Sequence, residues 1–149
     1  IDGIIEDISI NTVRIRNFDN TITTTPTYNL ISNSVKNWEF MFETKARRFK
    51  YQILINPNSI KFTGNEKGDT TLGLYRKHIQ SYLQKNELLN KEFQNQIKIL
   101  NSTSSGIPIE ITGYSLATSG SAHEETKASI VEFALASLYQ FSLQPASID

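Results

Sequence analysis

The sequence between residues 3 and 26 constrains the fold most, because apolar and polar residues alternate there with a period of two. Successive side chains of a β-strand point to opposite faces. Val13 and Ile15 are therefore expected to face a core. Arg14 and Arg16, which alternate with them, are expected to face water or a partner. The pattern predicts a small unit of short strands.

A turn at Phe18-Asp19-Asn20 separates two of these strands. Asp and Asn suit a turn because their short side chains bond to nearby backbone and tolerate a left-handed conformation. Residues 21–25 are mostly β-branched and predict the return strand. Pro26 is expected to end it, because proline has no N–H to donate to a strand ladder.

The rest of the chain mixes strand and helix patterns. Strands are predicted at residues 49–55, 107–116 and 142–146, and helices at 72–83 and 122–141, while residues 92–100 fit either. The second helix is expected to start after Ser121, because Glu124 stands three residues on and completes a capping box. This order fits an α+β sandwich with two helices on one face of a sheet.

The composition excludes several classes of function. Fifteen basic and fifteen acidic residues cancel, so no net charge attracts nucleic acid or an anionic membrane. The chain has no cysteine, which excludes disulfides and thiolate chemistry. Its longest apolar run, residues 133–139, is interrupted by Ser137 and is far shorter than the roughly 20 residues of a spanning helix.

No set of residues for catalysis, metal binding or cofactor binding is visible, so the chain is not expected to be an enzyme. His123 begins the pattern of zinc proteases, but Lys127 stands where the second ligand is needed. His123 and the distant His78 are interpreted as surface histidines. Glu6 and Asp7 are adjacent on a predicted strand, so they are expected to point to opposite faces and not to act together.

The only tryptophan and a basic run are the remaining candidates for contacts. Trp38 is interpreted as a core or interface anchor. Lys45, Arg47, Arg48 and Lys50 form the charged start of a strand. The run fits a solvated strand face, and it also fits a contact with nucleic acid or lipid head groups.

Four fragments resemble the MscS family of small mechanosensitive channels. They are Gly-Ile-Ile-Glu-Asp-Ile at residues 3–8, Thr-Val-Arg-Ile-Arg-Asn-Phe-Asp-Asn-Thr-Ile at 12–22, Pro-Thr-Tyr-Asn-Leu-Ile-Ser at 26–32 and Lys-Asn-Trp at 36–38. The threonine-rich strand that runs into Pro-Thr-Tyr is most similar to the YbdG-like branch. Gly-Ile-Pro-Ile-Glu-Ile at residues 106–111 extends the resemblance into the second half.

The resemblance implies a small Sm-like β-domain at residues 1–46, followed by a ferredoxin-like α/β domain at residues 47–149. It also implies a place in the bacterial inner membrane, with this portion facing the cytoplasm as the vestibule of a tension-gated channel. Such a channel releases solutes on hypo-osmotic shock. It is a homoheptamer and is attached to the membrane by helices upstream of this sequence.

In that setting, seven residues are expected to line the chamber or to contact a neighbouring subunit: Arg14, Arg16, Asp19, Asn20, Trp38, Arg47 and Arg48. No cofactor, metal or nucleic acid is expected. A second reading from the residues stays open, namely a free-standing soluble module with a small β-barrel that binds nucleic acid or protein. Its candidate surface is Phe49 and Tyr51 beside Lys50.

Overall fold

A computed structural model describes residues 1–64 and 67–146, which form two compact units, Ile1–Trp38 and Glu39–Asp149. The first unit contains β1 (Gly3–Ile8), β2 (Thr12–Asn17), β3 (Ile22–Pro26) and α1 (Tyr28–Ser32). The second contains α2 (Glu39–Thr44), β4 (Arg47–Ile55), a 3-10 turn (Pro57–Ser59), α3 (Thr71–Lys85), β5 (Gln96–Ile99), β6 (Ile107–Ser115) and α4 (Gly120–Gln140). The domain boundary proposed after residue 46 lies beyond α2 and stays a prediction.

The first unit is an antiparallel sheet of three strands in the order β1-β2-β3. Val13 and Ile15 on β2 are buried, while Arg14 and Arg16 are exposed on the other face, so the predicted alternation is confirmed. The turn before β3 is also where the sequence places it. Asn20 has a φ of 69° there, which is a conformation that asparagine tolerates better than most residues.

The second unit contains a sheet in the order β4-β6-β5, also antiparallel. The chain after α4 returns along the outer edge of β4, where Ile55 pairs with Pro145. Asn56 N donates to Gln144 O at 2.8 Å, and Ala146 N donates to Leu54 O at 2.8 Å. With this segment the order of elements is that of a ferredoxin-like βαββαβ sandwich, so the predicted fold class is confirmed.

One buried cluster joins the sheet of the second unit to α3 and α4. Its members come from both helices, from all three strands and from two connecting segments: Phe49, Ile53, Ile55, Leu72, Tyr75, Ile79, Leu83, Leu89, Ile97, Ile109, Ile111, Ile130, Ala134, Leu138 and Leu143. Each large apolar side chain buried in this way contributes roughly 1.5–3 kcal/mol. Tyr75 Oη also donates to Ala134 O at 2.6 Å, which ties α3 to α4. Helical spacing predicts that one face of α3 carries Leu72, Tyr75, Ile79, Tyr82 and Leu83. Four of them lie in this core, and Tyr82 packs against it partly buried.

Helix α4 begins earlier than the sequence suggested. Its N-cap is Ser119, and His123 N donates to Ser119 O at 2.9 Å. The capping box predicted at Ser121 is therefore wrong, because Ser121 lies inside the first turn. His123 lies on the buried face of the helix, seven residues before Ile130.

Helix α4 ends in a left-handed turn at Ser142, whose φ is 56°. Ser142 N donates to Tyr139 O at 3.2 Å, and Leu143 N donates to Leu138 O at 3.0 Å. This pair of bonds is the Schellman arrangement, in which glycine is the usual residue at the left-handed position. Serine carries a Cβ there and is strained.

We predict that Ser142→Gly raises the free energy of unfolding by about 0.5–1 kcal/mol, because glycine adopts positive φ without steric cost. Chemical denaturation measures the change. Ala136→Gly is the matched control, since Ala136 is exposed inside the same helix. That substitution should lower stability by about 1 kcal/mol. A loss of stability in Ser142→Gly would contradict the prediction.

A second strained residue, Lys45 with a φ of 51°, joins α2 to β4. The buried Asn90 holds this turn: its Nδ2 donates to Thr44 O at 3.0 Å and to Lys45 O at 3.2 Å. Asn90 Oδ1 accepts from Glu92 N at 3.0 Å, and Asn90 N donates to Tyr114 O at 2.8 Å. Asn90 therefore connects the end of α2, through its side chain, to the end of β6, through its backbone N–H.

We predict that Asn90→Ala lowers the free energy of unfolding by about 1–3 kcal/mol, because it leaves three part-buried backbone groups without their side-chain partner. Hydrogen exchange should rise in α2 at the same time. Asn101→Ala, at an exposed position, is the control and should stay within about 0.5 kcal/mol. Equal stabilities of the two variants would show that the turn holds without Asn90.

Candidate functional site

Three charged side chains form an ion cluster on the outer face of the first sheet. Glu6 Oε1 lies 3.1 Å from Arg16 Nε, and Glu6 Oε2 lies 3.5 Å from Arg14 Nε. Both arginine side chains are more than half exposed. Exposed ion pairs contribute only about 0–1 kcal/mol, so the cluster orients two cations more than it stabilises the fold.

A β-bulge creates this cluster. The register of β1 against β2 shifts between Ile5 and Asp7, so Glu6 is the additional residue. The shift puts Asp7 opposite Arg14, on the same face as the side chain of Glu6. The expectation that the two acids point to opposite faces is therefore wrong, since a bulge breaks the period of two.

The turn between β2 and β3 adds an anionic and a polar group at one end of the sheet. Thr21 donates twice to Asp19 Oδ1, from its N at 3.1 Å and from its hydroxyl. The hydroxyl bond in particular lowers the pKa of Asp19 below its usual range. An open depression beside the turn is lined by Ile4, Arg16, Asn17, Phe18 and Asn20. Two of the predicted residues, Arg16 and Asn20, thus share one surface.

The first unit also exposes large apolar side chains. Ile4 on β1 is 50% exposed, Ile8 is 59% exposed, and Phe18 at the turn is 65% exposed. Ile5 and Ile22 are exposed as well. Exposed apolar side chains of this size are candidates for contact with another protein surface or a membrane.

The other predicted residues lie in different settings. Trp38 is half-buried, and Lys36 Nζ lies 5.2 Å from its ring centroid. Arg47 Nη1 donates to Thr118 O at 3.0 Å, which turns this guanidinium toward the loop before α4. Arg48 follows it on β4 and is exposed. The two adjacent arginines therefore lie on opposite faces of the strand.

The aromatic surface considered for nucleic acid is not exposed. Phe49 is buried and Tyr51 is half-buried, so neither ring is available for bases to stack on. Lys50 Nζ lies 3.4 Å from Glu110 Oε2, and Gln52 Nε2 donates to the same oxygen at 2.9 Å. The bond from Gln52, supported by Lys50, lowers the pKa of Glu110 below its usual range.

Neither histidine is a simple surface residue. His123 is buried, and its Nδ1 lies 2.7 Å from Ser115 Oγ. His78 is half-buried, and its ring centroid lies 5.6 Å from that of Phe133 and 5.3 Å from that of Phe141. The spacing of seven residues between His123 and Ile130 puts both on one face of the helix, so the sequence did carry a signal for a buried histidine.

Neither a metal centre nor a membrane span is present in residues 1–64 and 67–146. Nowhere in them do three His, Cys, Asp or Glu side chains approach closely enough to hold a metal ion. No helix there combines the length and the apolar character needed to cross a bilayer.

Comparisons with known proteins bear on the first 39 residues and on the fold of the whole chain. Residues 1–39 match the family model for the β-domain of the mechanosensitive ion channel. The fold is similar to that of MSL1 from Arabidopsis thaliana, with a TM-score of 0.77, 10% identity and coverage of 98% of this chain and 49% of that chain. It is also similar to closed-state MscS from Helicobacter pylori, with a TM-score of 0.69, 15% identity and coverage of 99% and 53%.

The chain spans about half the length of these solved proteins. At such identities the likeness establishes the fold, and the family model matches the first unit and one residue beyond it. Residues 1–39 are thus similar to the β-domain of mechanosensitive ion channels, and the whole chain shares the fold of portions of MSL1 and MscS.

Proposed function

We propose that this chain is the cytoplasmic vestibule portion of a tension-gated channel that releases solutes on hypo-osmotic shock. In this proposal the protein lies in the inner membrane of a bacterium and is anchored by helices outside this sequence. Copies of the chain assemble as a homoheptamer around a hollow chamber. The observation that carries the proposal is the match of residues 1–39 to the β-domain of mechanosensitive ion channels.

The exposed apolar surface of the first unit supports self-association. Ile4, Ile5 and Ile8 are exposed along β1, which is an edge strand of its sheet. Leaving so much apolar surface in water is costly, at about 25 cal/mol for each Å². A neighbouring copy that covers β1 removes this cost. The covered edge strand is also prevented from pairing with unrelated chains.

The polar side chains of the first unit would then line the chamber or contact a neighbouring subunit. Arg14 and Arg16 present two cations on one face, and Asp19 and Asn20 lie at the turn that follows. Cations on the wall of an aqueous chamber raise the local concentration of anions and so influence ion preference. Trp38, Arg47 and Arg48 are proposed as contact residues, although Arg47 already donates to Thr118 O.

We predict that the full-length protein, expressed in bacteria that lack their own mechanosensitive channels, gives currents that appear with suction on a membrane patch. The same cells should survive dilution into low-osmolarity medium. Pressure-clamp recording and survival counts measure the two effects. Protein that is present in the membrane but gives neither current nor protection would overturn the proposal.

We predict that Arg14→Glu combined with Arg16→Glu changes either ion preference or oligomer size in the full-length protein. The double substitution replaces two cations by anions and leaves Glu6 among like charges. Reversal potentials in asymmetric salt and size-exclusion chromatography with light scattering measure the two outcomes.

Lys61→Glu combined with Lys85→Glu is the matched control, because it makes the same change in net charge at exposed positions of the second unit. Only the arginine pair should alter the measurements. If both double variants keep the original currents and oligomer size, Arg14 and Arg16 belong to a solvated face without a role in the channel.

A further inference from the structure

His123 connects the first turn of α4 to the end of β6. Its side chain is 95% buried, and Nδ1 lies 2.7 Å from the oxygen of the fully buried Ser115. Ser115 Oγ also lies 2.6 Å from Ala117 O, which accepts the single hydroxyl proton. The oxygen of Ser115 must then accept from His123, so the imidazole carries a proton on Nδ1.

The surroundings of His123 favour the neutral ring. Arg47 faces it from β4, and the guanidinium is fixed there by its bond to Thr118 O at 3.0 Å. Lys127 faces it from α4, and Glu124 is the one nearby anion. Phe49 contributes an aromatic ring whose centroid is 6.3 Å away. The ring also lies in the first turn of a helix, where the helix dipole disfavours a cation.

We propose that His123 is an acid-sensitive latch, which holds the start of α4 against β6 when neutral and releases it when the ring is protonated. The second proton adds to Nε2 and leaves the Nδ1 bond to Ser115 intact. The cost is a positive charge buried beside Arg47 and inside the first helical turn. The start of α4 and the end of β6 form one corner of the second unit. Separating these two segments opens the corner and lets the imidazolium reach water. It also breaks the bonds from His123 to Ser115 and from Arg47 to Thr118.

The direction of the pH effect follows from the two states of the ring. Burial, with Arg47 as the next cause, holds the pKa of folded His123 below its usual value, while the opened or unfolded chain titrates near 6.5. The closed corner therefore has its full stability above about pH 6.5 and loses it as the pH falls below that value. Each unit of pKa depression corresponds to about a tenfold change in the ratio of open to closed forms.

The chain offers its own control, because His78 is the only other histidine. His123→Asn keeps an N–H donor near the position of Nδ1 and cannot titrate, and His78→Asn removes the other imidazole. We predict that protection factors at residues 115–126, corrected for intrinsic exchange, fall by fivefold or more between pH 7.5 and pH 5.5 in the original chain and in His78→Asn. They should stay level in His123→Asn. An equal fall in all three would overturn the latch.

Nuclear magnetic resonance of the original chain tests the same inference without a substitution. The ring of His123 should be protonated on Nδ1 at pH 7.5, with a titration midpoint below 6.5. A proton on Nε2, or a midpoint at 6.5 or above, would contradict the geometry. This measurement still decides the question if His123→Asn does not fold.

The consequence for gating rests on the proposed function and has its own test. Acidifying the cytoplasmic face of excised patches from pH 7.5 to pH 5.5 should shift the tension threshold in the original channel and in His78→Asn, but not in His123→Asn. If hydrogen exchange shows that the latch opens at low pH while the tension threshold stays constant, only the link to gating is rejected. The absence of any tension-gated current would instead reject the proposed function.

Discussion

The pairing of β4 with β6 is the interaction on which the second unit depends. It runs without a break from Arg47 opposite Ser115 to Ile55 opposite Ile107. Because β6 is central, β5 is held in the sheet only through it. The apolar face of the three strands supplies half of the core against α3 and α4. A slip of one residue would exchange the buried and exposed faces, so the register also decides that Lys50 and Glu110 meet outside the core.

The charged face of the first unit depends on an irregularity in its strand pairing, and not on a regular register. The bulge at Glu6 brings this side chain within reach of both Arg14 and Arg16. A regular strand of the same sequence would leave one of the two acidic residues of β1 on the other face. The sheet thus presents balanced charges on its outer face although it is small. Apolar side chains such as Ile8 remain exposed in the same unit.

Periodicity made much of this structure predictable. Val13 and Ile15 on β2, and Tyr75 and Ile79 on α3, are buried as their spacing predicts, because an amphipathic element has one way to bury its apolar face. The bulge was not predictable, since an inserted residue has no side-chain signature of its own. The start of α4 was misplaced because local capping residues were weighed without the tertiary contact between His123 and Ser115. The roles predicted for the seven contact residues stay predictions, because they concern contacts with other copies of the chain, which one sequence does not encode directly.

The edges of the second sheet limit how copies of this chain can associate. Residues 144–146 cover the outer edge of β4 through the bonds at Asn56 and Leu54. On the opposite edge, the carboxamide of Gln80 replaces a neighbouring strand: Nε2 donates to Asn95 O at 2.9 Å, and Oε1 accepts from Ile97 N at 3.1 Å. Backbone groups that are already bonded do not add a further strand. At these two edges the second unit can therefore contact another copy through side chains but not by adding a strand. The exposed β1 of the first unit is better suited to self-association by strand pairing.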